Sequence, residues 1–280
     1  MNITISNLKD FERKKEIFKK QGKNKIHIIS DFDRTLTKAF VNGMRSSTII
    51  AQIRNGNYLT KDYAPKAHAL FNKYNPIEIN PKIPLIEKKK IMEEWWRKHF
   101  ELLIGCGFNK KVINKIIKER KLKFRKGFFE FLDILNKNNI PLIIMSAGPG
   151  DMIKEYLKEQ GQLYENIHII ANMLNFNKNG KAISVKSPII HTFNKSEITL
   201  KSLEIYHELL IRKNVILLGD SLGDLGMIKG FPYENLISIG FLNYNIDENI
   251  EEYKKNFDVV ILNDSEMEFV DNLIREIMNY

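Results

Sequence analysis

Only one cysteine, Cys106, occurs among the 280 residues. A lone thiol has no partner for an intrachain disulfide and no neighbouring thiol for a metal site, which fits a reducing cytoplasm. Between Gly105 and Gly107 it reads as a small buried residue at a helix end rather than as a nucleophile. Long apolar runs are missing too, since nothing approaches the roughly 18 residues that a membrane-crossing helix needs. Met1 to Thr4 lead into a charged, helix-like stretch without the apolar core and cleavage site of a secretory leader. The expectation is a soluble, cytoplasmic protein with no membrane partner. Six histidines (His27, His68, His99, His168, His191 and His207) are scattered without metal-ligand spacing and are read as structural. Internal repeats and disordered linkers are also absent.

The chain has a basic surplus, with 44 Lys and Arg against 34 Asp and Glu, a net charge of +10. Such a surplus attracts nucleic acid, an anionic membrane or a phosphorylated small molecule. The basic residues are spread along the chain, however, and the runs Arg13 to Lys15 and Lys88 to Lys90 lie in helical patterns as solvated faces. Charge therefore names no partner, and no nucleic acid is expected.

The stretch that organises the chain is 26–37. Ile26, Ile28 and Ile29 form a β-branched run that reads as a buried strand of a parallel sheet. Asp31 and Asp33 follow, two apart, with Thr35 beyond, at the strand end where open α/β sheets bind ligands. An Asp-rich turn is the competing reading of the same residues.

A helix is expected over 7–21, ahead of this strand. From Val41 to Lys123, helix-like segments follow one another without a convincing strand: Met44 to Ile53, Tyr63 to Tyr74, Leu85 to Leu103 and Lys110 to Arg120. The Pro-containing stretch Asn75 to Pro84 is expected to break any helix. This composition predicts a helical insertion at 41–123 within an α/β core formed by 1–40 and 124–280. After a helix over Lys126 to Lys137, strands are expected at Ile140 to Met145, Ile167 to Ala171, Val215 to Leu218, Leu236 to Ile239 and Val259 to Leu262. A hairpin is expected around Asn179 and Gly180, and a helix over Ser196 to Arg212. The fold class is thus α/β, a doubly wound, mostly parallel sheet with a helical insertion and a small β-hairpin.

Polar residues end separate strands: Asp31 and Asp33, Ser146, then Asp220 with Asp224, while Lys195 precedes a helix. Several carboxylates in one crevice repel one another unless a cation sits among them, and oxygen ligands without His or Cys select a hard ion such as Mg²⁺. Ser146 with the amides of Ala147 and Gly148, at the start of a helix, supplies donors for phosphate oxygens, and Lys195 adds a point charge. Gly148 and Gly150 let the backbone approach the anion. Asp31 is then placed to attack phosphorus and form an aspartyl-phosphate, and Asp33 to protonate the leaving alkoxide and later activate water. Taken singly, Ser146, Lys195, Asp220 and Asp224 also read as capping, surface and turn residues.

Asp31-x-Asp33-x-Thr35, the strand ending in Ser146, Lys195, and Gly219 to Asp224 resemble in order the four motifs of the haloacid dehalogenase superfamily. That resemblance implies a Mg²⁺-dependent phosphatase with Asp31 as nucleophile, Asp33 as acid and base, and Asp31, Asp33 and Asp220 as metal ligands, with Thr35 and Asp224 in support. The insertion then looks like the family's cap. Ser146 to Asp151, His191 to Lys195, Ile216 to Leu225 and Met92 to Trp96 further resemble the cytosolic 5′-nucleotidases of type III, the pyrimidine 5′-nucleotidases. This implies nucleoside 5′-monophosphate substrates, with CMP, UMP and 7-methyl-GMP as candidates, and phosphate transfer to water or to a second nucleoside. A cap glutamate that contacts the nucleoside in that family is matched here by Glu94. Trp95 and Trp96 are available to stack on a base or to fill the cap core. A monomer or weak dimer is expected. The alternatives are a phosphatase for phosphoserine or a sugar phosphate, and an inactive scaffold that binds nucleic acid.

Overall fold

The computed structural model describes residues 2–195, 205–230 and 232–278. Seven strands form one sheet in the order β1-β11-β10-β9-β2-β5-β6. They are β1 (Ile3–Ile5), β2 (Ile26–Ser30), β5 (Leu142–Pro149), β6 (Ile167–Asn172), β9 (Asn214–Gly219), β10 (Asn235–Leu242) and β11 (Val259–Leu262). All neighbours pair in parallel except β1 on β11. The edge strand β1 was not expected, because Ile3, Thr4 and Ile5 give too few alternations to signal a strand.

Every residue of β2 is buried, as a central parallel strand covered on both faces requires. Successive side chains serve opposite layers. Ile28 joins one core with Phe11 and Phe18 of α1 (Leu8–Gln21), Phe131 of α6 (Phe128–Lys137) and Ile274 of α10 (Glu268–Ile277). Ile29 joins a second core with Val215, Leu217, Met227 and Leu209 of α8 (Tyr206–Ile211). Helix α7 (Gly150–Glu159) packs beside β6, and α9 (Ile246–Asn256) packs on β10 and β11. The sheet is therefore doubly wound, as expected. Of the helix expected over Ser196 to Arg212, the part at 196–204 lies outside the described residues.

Between β2 and β5 the chain carries α2 (Ile49–Asn55), α3 (Tyr63–Ile79), α4 (Leu85–Gly105) and α5 (Lys110–Lys118). Two expectations change here. Met44 to Ile53 is not one helix: β3 (Phe40–Val41) and β4 (Met44–Arg45) form a tight hairpin, and Thr48 caps α2 by accepting from the Ala51 amide. Asn42 and Gly43 turn that hairpin at φ 53° and 74°, the primed geometry that Asn-Gly favours. Helix α3 also runs past Asn75 and Pro76 to Ile79. Proline forgoes only its own amide bond, and near a helix end few turns remain for it to disrupt. The expected hairpin around Asn179 is present as β7 (Leu174–Phe176) with β8 (Ala182–Val185).

Register brings the reactive residues together. Ser30, the last residue of β2, lies opposite Ile144 on one side and Leu218 on the other, so β9 ends beside it at Gly219 while β5 runs on to Pro149. From β2 the connections run outward to β5 and β6, then return to β9 and beyond, which makes the end of β2 the topological switch point.

Candidate active site

Asp31 follows the last residue of β2, and its amide donates to the Leu218 carbonyl at 3.0 Å, fixing it against the end of β9. Lys195 is buried between two carboxylates, donating to Asp31 Oδ1 and, at 2.9 Å, to Asp224 Oδ1. The other oxygen of Asp224 accepts from the Ser221 amide at 3.0 Å and hydroxyl at 2.8 Å. Both of its oxygens are thus engaged, and Lys195 is held on a rigid acceptor. The Tyr253 hydroxyl donates to the Asp220 carbonyl at 2.6 Å, anchoring the same loop from α9.

Asp31, Asp220 and Asp224 each direct a carboxylate oxygen so that the three atoms lie within 4.8 Å of one another. Burial, then the neighbouring Asp224 and Asp33 charges, push Asp31 up to about 7 although Lys195 pulls the other way. Asp220 is raised well above the ordinary carboxylate range by burial and by Asp31 and Asp224. Burial pulls Lys195 down, but the two carboxylates outweigh it and hold the ammonium protonated. This cluster has more buried negative charge than one lysine neutralises. An all-oxygen set of that kind fits a hard divalent cation.

Asp33 is oriented differently. Its Oδ1 accepts from the Ile49 amide at 3.0 Å, at the start of α2, so it leans toward the helical segment, and Asp224 takes the third place in the carboxylate cluster. Burial raises Asp33 to about 6, against the Ile49 hydrogen bond and the Arg34 and Lys195 charges. Thr35 is buried, and its hydroxyl has no partner among the described residues.

Ser146, Ala147 and Gly148 lie inside β5, which shifts register between Met145 and Pro149, and α7 begins only at Gly150. The expected position of Ser146 at a helix start is therefore corrected: a bulged strand end presents it. Its Oγ accepts from the Gly148 amide at 3.0 Å, and a Cβ on Gly148 would stand 3.9 Å from Asp33 Oδ2, so this backbone passes close to the acid. Gly150 serves packing instead, since a Cβ there would strike Met173 Sδ at 2.3 Å.

Two positioning residues escaped the sequence reading. Arg125 is buried and donates to the carbonyls of Thr35 at 2.7 Å and Ser265 at 2.6 Å and to Asn243 Oδ1 at 2.7 Å, and it pairs with Asp264 at 2.9 Å. It staples the loop that follows Asp33. Nothing marked it among Lys121, Lys123 and Lys126. Asn172, at the end of β6, donates to the carbonyls of Ala147 at 2.7 Å and Ile190 at 2.8 Å, tying the Ser146 bulge to the segment that carries Lys195. Its signal, a polar residue closing an apolar strand, was the one that singled out Asp31.

A cavity of about 790 Å³ opens between the loops beyond β2 and β10, where Arg34 and Tyr244 line it, and α2, α3 and α4. Its lining includes Arg34, Ser47, Arg54, Glu78, Trp95 and Trp96. Glu94 does not line it: this exposed side chain accepts from the Tyr74 hydroxyl at 2.7 Å and pairs with Lys98. The carboxylate that does line it is Glu78, which accepts from Thr192 Oγ1 at 2.9 Å and Asn75 Nδ2 at 3.2 Å. Of the two roles open to the tryptophans, the structure shows the packing one, and both also reach the cavity. Trp95 is buried against Tyr74 and Met92, Trp96 packs on His99 and Phe100, and each also contributes to the cavity wall.

The family model described as Pyrimidine 5′-nucleotidase (UMPH-1) matches residues 34–278. A 7-methylguanosine phosphate-specific 5′-nucleotidase of Gallus gallus is 37% identical over 261 residues, covering 93% of this chain and 90% of that protein. The Homo sapiens protein of the same name is 36% identical over 261 residues, covering 93% and 87%. Among solved structures, cytosolic 5′-nucleotidase IIIB bound to cytidine superposes with a TM-score of 0.90 at 29% identity, over 99% of this chain and 94% of that one. A phosphoserine phosphatase captured as a phospho-aspartyl intermediate analogue shares the fold, with a TM-score of 0.54 at 18% identity, over 89% and 98%.

Proposed function

The chain belongs to the pyrimidine 5′-nucleotidase family, and from that premise we propose that it hydrolyses CMP and UMP, with 7-methyl-GMP as a further candidate, to nucleoside and phosphate. The observation that supports this reading is the pairing of β5 and β9 on either side of β2, with carboxylate oxygens of Asp31, Asp220 and Asp224 within 4.8 Å of one another. Asp31 is the nucleophile and forms an aspartyl-phosphate as the nucleoside leaves. Asp33, raised to about 6, keeps a protonated fraction near neutrality and gives its proton to the departing 5′-oxygen. As a carboxylate it then takes a proton from the water that cleaves the intermediate. Ser146, the Ala147 amide and Lys195 hold the phosphoryl oxygens, while the Gly148 amide, bonded to Ser146 Oγ, orients that hydroxyl.

Asp31, Asp220 and Asp224 would hold Mg²⁺, with Asp33 on the side facing the leaving group. Bound there, the ion supplies charge neutralisation that lets an anionic carboxylate approach an anionic phosphate. Residues 41–123 act as a cap over the cavity, and Glu78, rather than Glu94, faces the base. No helix among the described residues is long and apolar enough to cross a membrane, and a Caenorhabditis elegans relative, 34% identical over 261 residues, is named a putative cytosolic 5′-nucleotidase 3. We place this chain in the cytoplasm, as a monomer or weak dimer with no nucleic-acid partner.

A panel of phosphomonoesters at fixed Mg²⁺ tests the proposal. Phosphate release from CMP or UMP, abolished by EDTA and exceeding that from phosphoserine or a sugar phosphate, is expected. Equal rates across the panel would remove the nucleotide assignment.

A further inference from the structure

The cavity has two chemically distinct ends. Arg34 and Ser47 lie toward Asp33 and the strand ends, where the phosphate belongs. Phe71, Trp95, Trp96 and His99 form an aromatic end, suited to a base. One full positive charge stands in that aromatic wall. Arg54, in the last turn of α2, lies with its guanidinium carbon 4.0 Å from the centre of the Phe71 ring. Its Nε is buried without a hydrogen-bond partner, and the side chain forms no ion pair among the described residues. His99 adds no charge there, since burial and then Arg54 push its ring down to about 4.

We infer that Arg54 sets the base preference of this site. A guanidinium held over an aromatic ring still has N–H groups to donate to the carbonyl or ring nitrogen of a neutral pyrimidine. The same charge repels a base that carries a fixed positive charge, as guanine does once methylated at N7. Glu78 alone would attract such a cation, and Arg54 offsets it across the same cavity. The inference rests on the nucleotidase reading above and orders its candidates: CMP and UMP ahead of 7-methyl-GMP. That order departs from the specificity in the names of the Gallus gallus and Homo sapiens relatives.

The test compares kcat/KM for CMP, GMP and 7-methyl-GMP in the wild type, Arg54→Gln and Arg54→Lys. The wild type should favour CMP over 7-methyl-GMP by about tenfold or more, the scale of one partly screened charge repulsion. Arg54→Gln should shift the ratio by about tenfold toward the methylated nucleotide, and Arg54→Lys, which keeps the charge, by less than about threefold. GMP, smaller by one methyl group and uncharged in its base, should be turned over better than 7-methyl-GMP by the wild type, a comparison that needs no variant. Preference of the wild type for 7-methyl-GMP, or a ratio unmoved in a folded Arg54→Gln protein, would overturn the inference. If no nucleotide exceeded a base-free ester such as p-nitrophenyl phosphate, the nucleotidase reading itself would fall, and the inference with it.

Discussion

At the strand ends, Asp31, Lys195 and Asp224 hold one another in buried ion pairs. Across the cavity, Arg54, Trp95 and Trp96 each keep a buried nitrogen with no partner among the described residues. The first group is fixed by sheet register and by bonds to backbone, so its geometry does not wait for substrate. The second is placed by helix packing around aromatic rings, and its donors are left for whatever enters. The proposed function assigns reaction type to the sheet and substrate choice to the helices, and mutations should divide along that line.

The largest effect is expected at the sheet. Asp31→Asn should lower kcat by about 10⁴-fold or more, because an amide neither attacks phosphorus nor forms the acyl phosphate. Calorimetric titration should still detect nucleotide binding, and loss of binding alongside turnover would blur the division between floor and roof. Arg125→Met comes next. It takes the guanidinium from Asp264, which keeps the Ala39 and Phe40 amides and Lys38, and frees the buried Arg34 and Thr35 carbonyls, for an expected loss of about 2–4 kcal/mol in urea unfolding. A loss under about 1 kcal/mol would show that the loop does not need its staple.

A paired experiment on the helices sharpens the comparison. Glu78→Gln should raise KM for CMP by about tenfold with kcat changed far less, the pattern of lost ground-state binding. Glu94→Gln should alter both by less than about twofold, as exposed ion pairs contribute little. The reverse outcome would return the base contact to Glu94.

The smallest effect concerns metal and pH. Asp31 goes from an ordinary 3.8 up to about 7 on folding, and Asp33 and Asp220 move the same way. For an acid raised by folding, the native state holds the proton more tightly. Its contribution is fully present below pH 3.8 and is lost as pH rises through about 7. Metal-free protein should therefore become less stable across that window. Mg²⁺, which relieves the repulsion, should raise the melting temperature more at about pH 8 than at about pH 5. An equal rise at both values would place the ion away from these carboxylates.

How much of this was legible follows the same division. Strand-terminal carboxylates are readable because an apolar β-branched run followed by Asp31 and Asp33 leaves few other structures, and the sheet then aligns Asp220 with them. Lys195 was recognisable only together with the others. Ser146 was placed on the wrong element, since a register shift inside β5 leaves no trace in composition. The helical residues were least accessible. Glu78 follows Pro76, where the proline suggested a helix break, so a side chain in the last turn of α3 was taken for loop. Arg54 carries no local signal, because its position depends on Phe71, distant in sequence, supplying the ring beneath it.

The central claim is that Asp31 becomes covalently phosphorylated during turnover. Incubating the protein with CMP radiolabelled in its phosphate, quenching in acid, reducing with borohydride and mapping the modified peptide tests it directly. Homoserine at position 31, with label lost from the protein on reduction, is the expected result. Label on a serine, threonine or histidine, or steady phosphate release with Asp31 never modified, would contradict it.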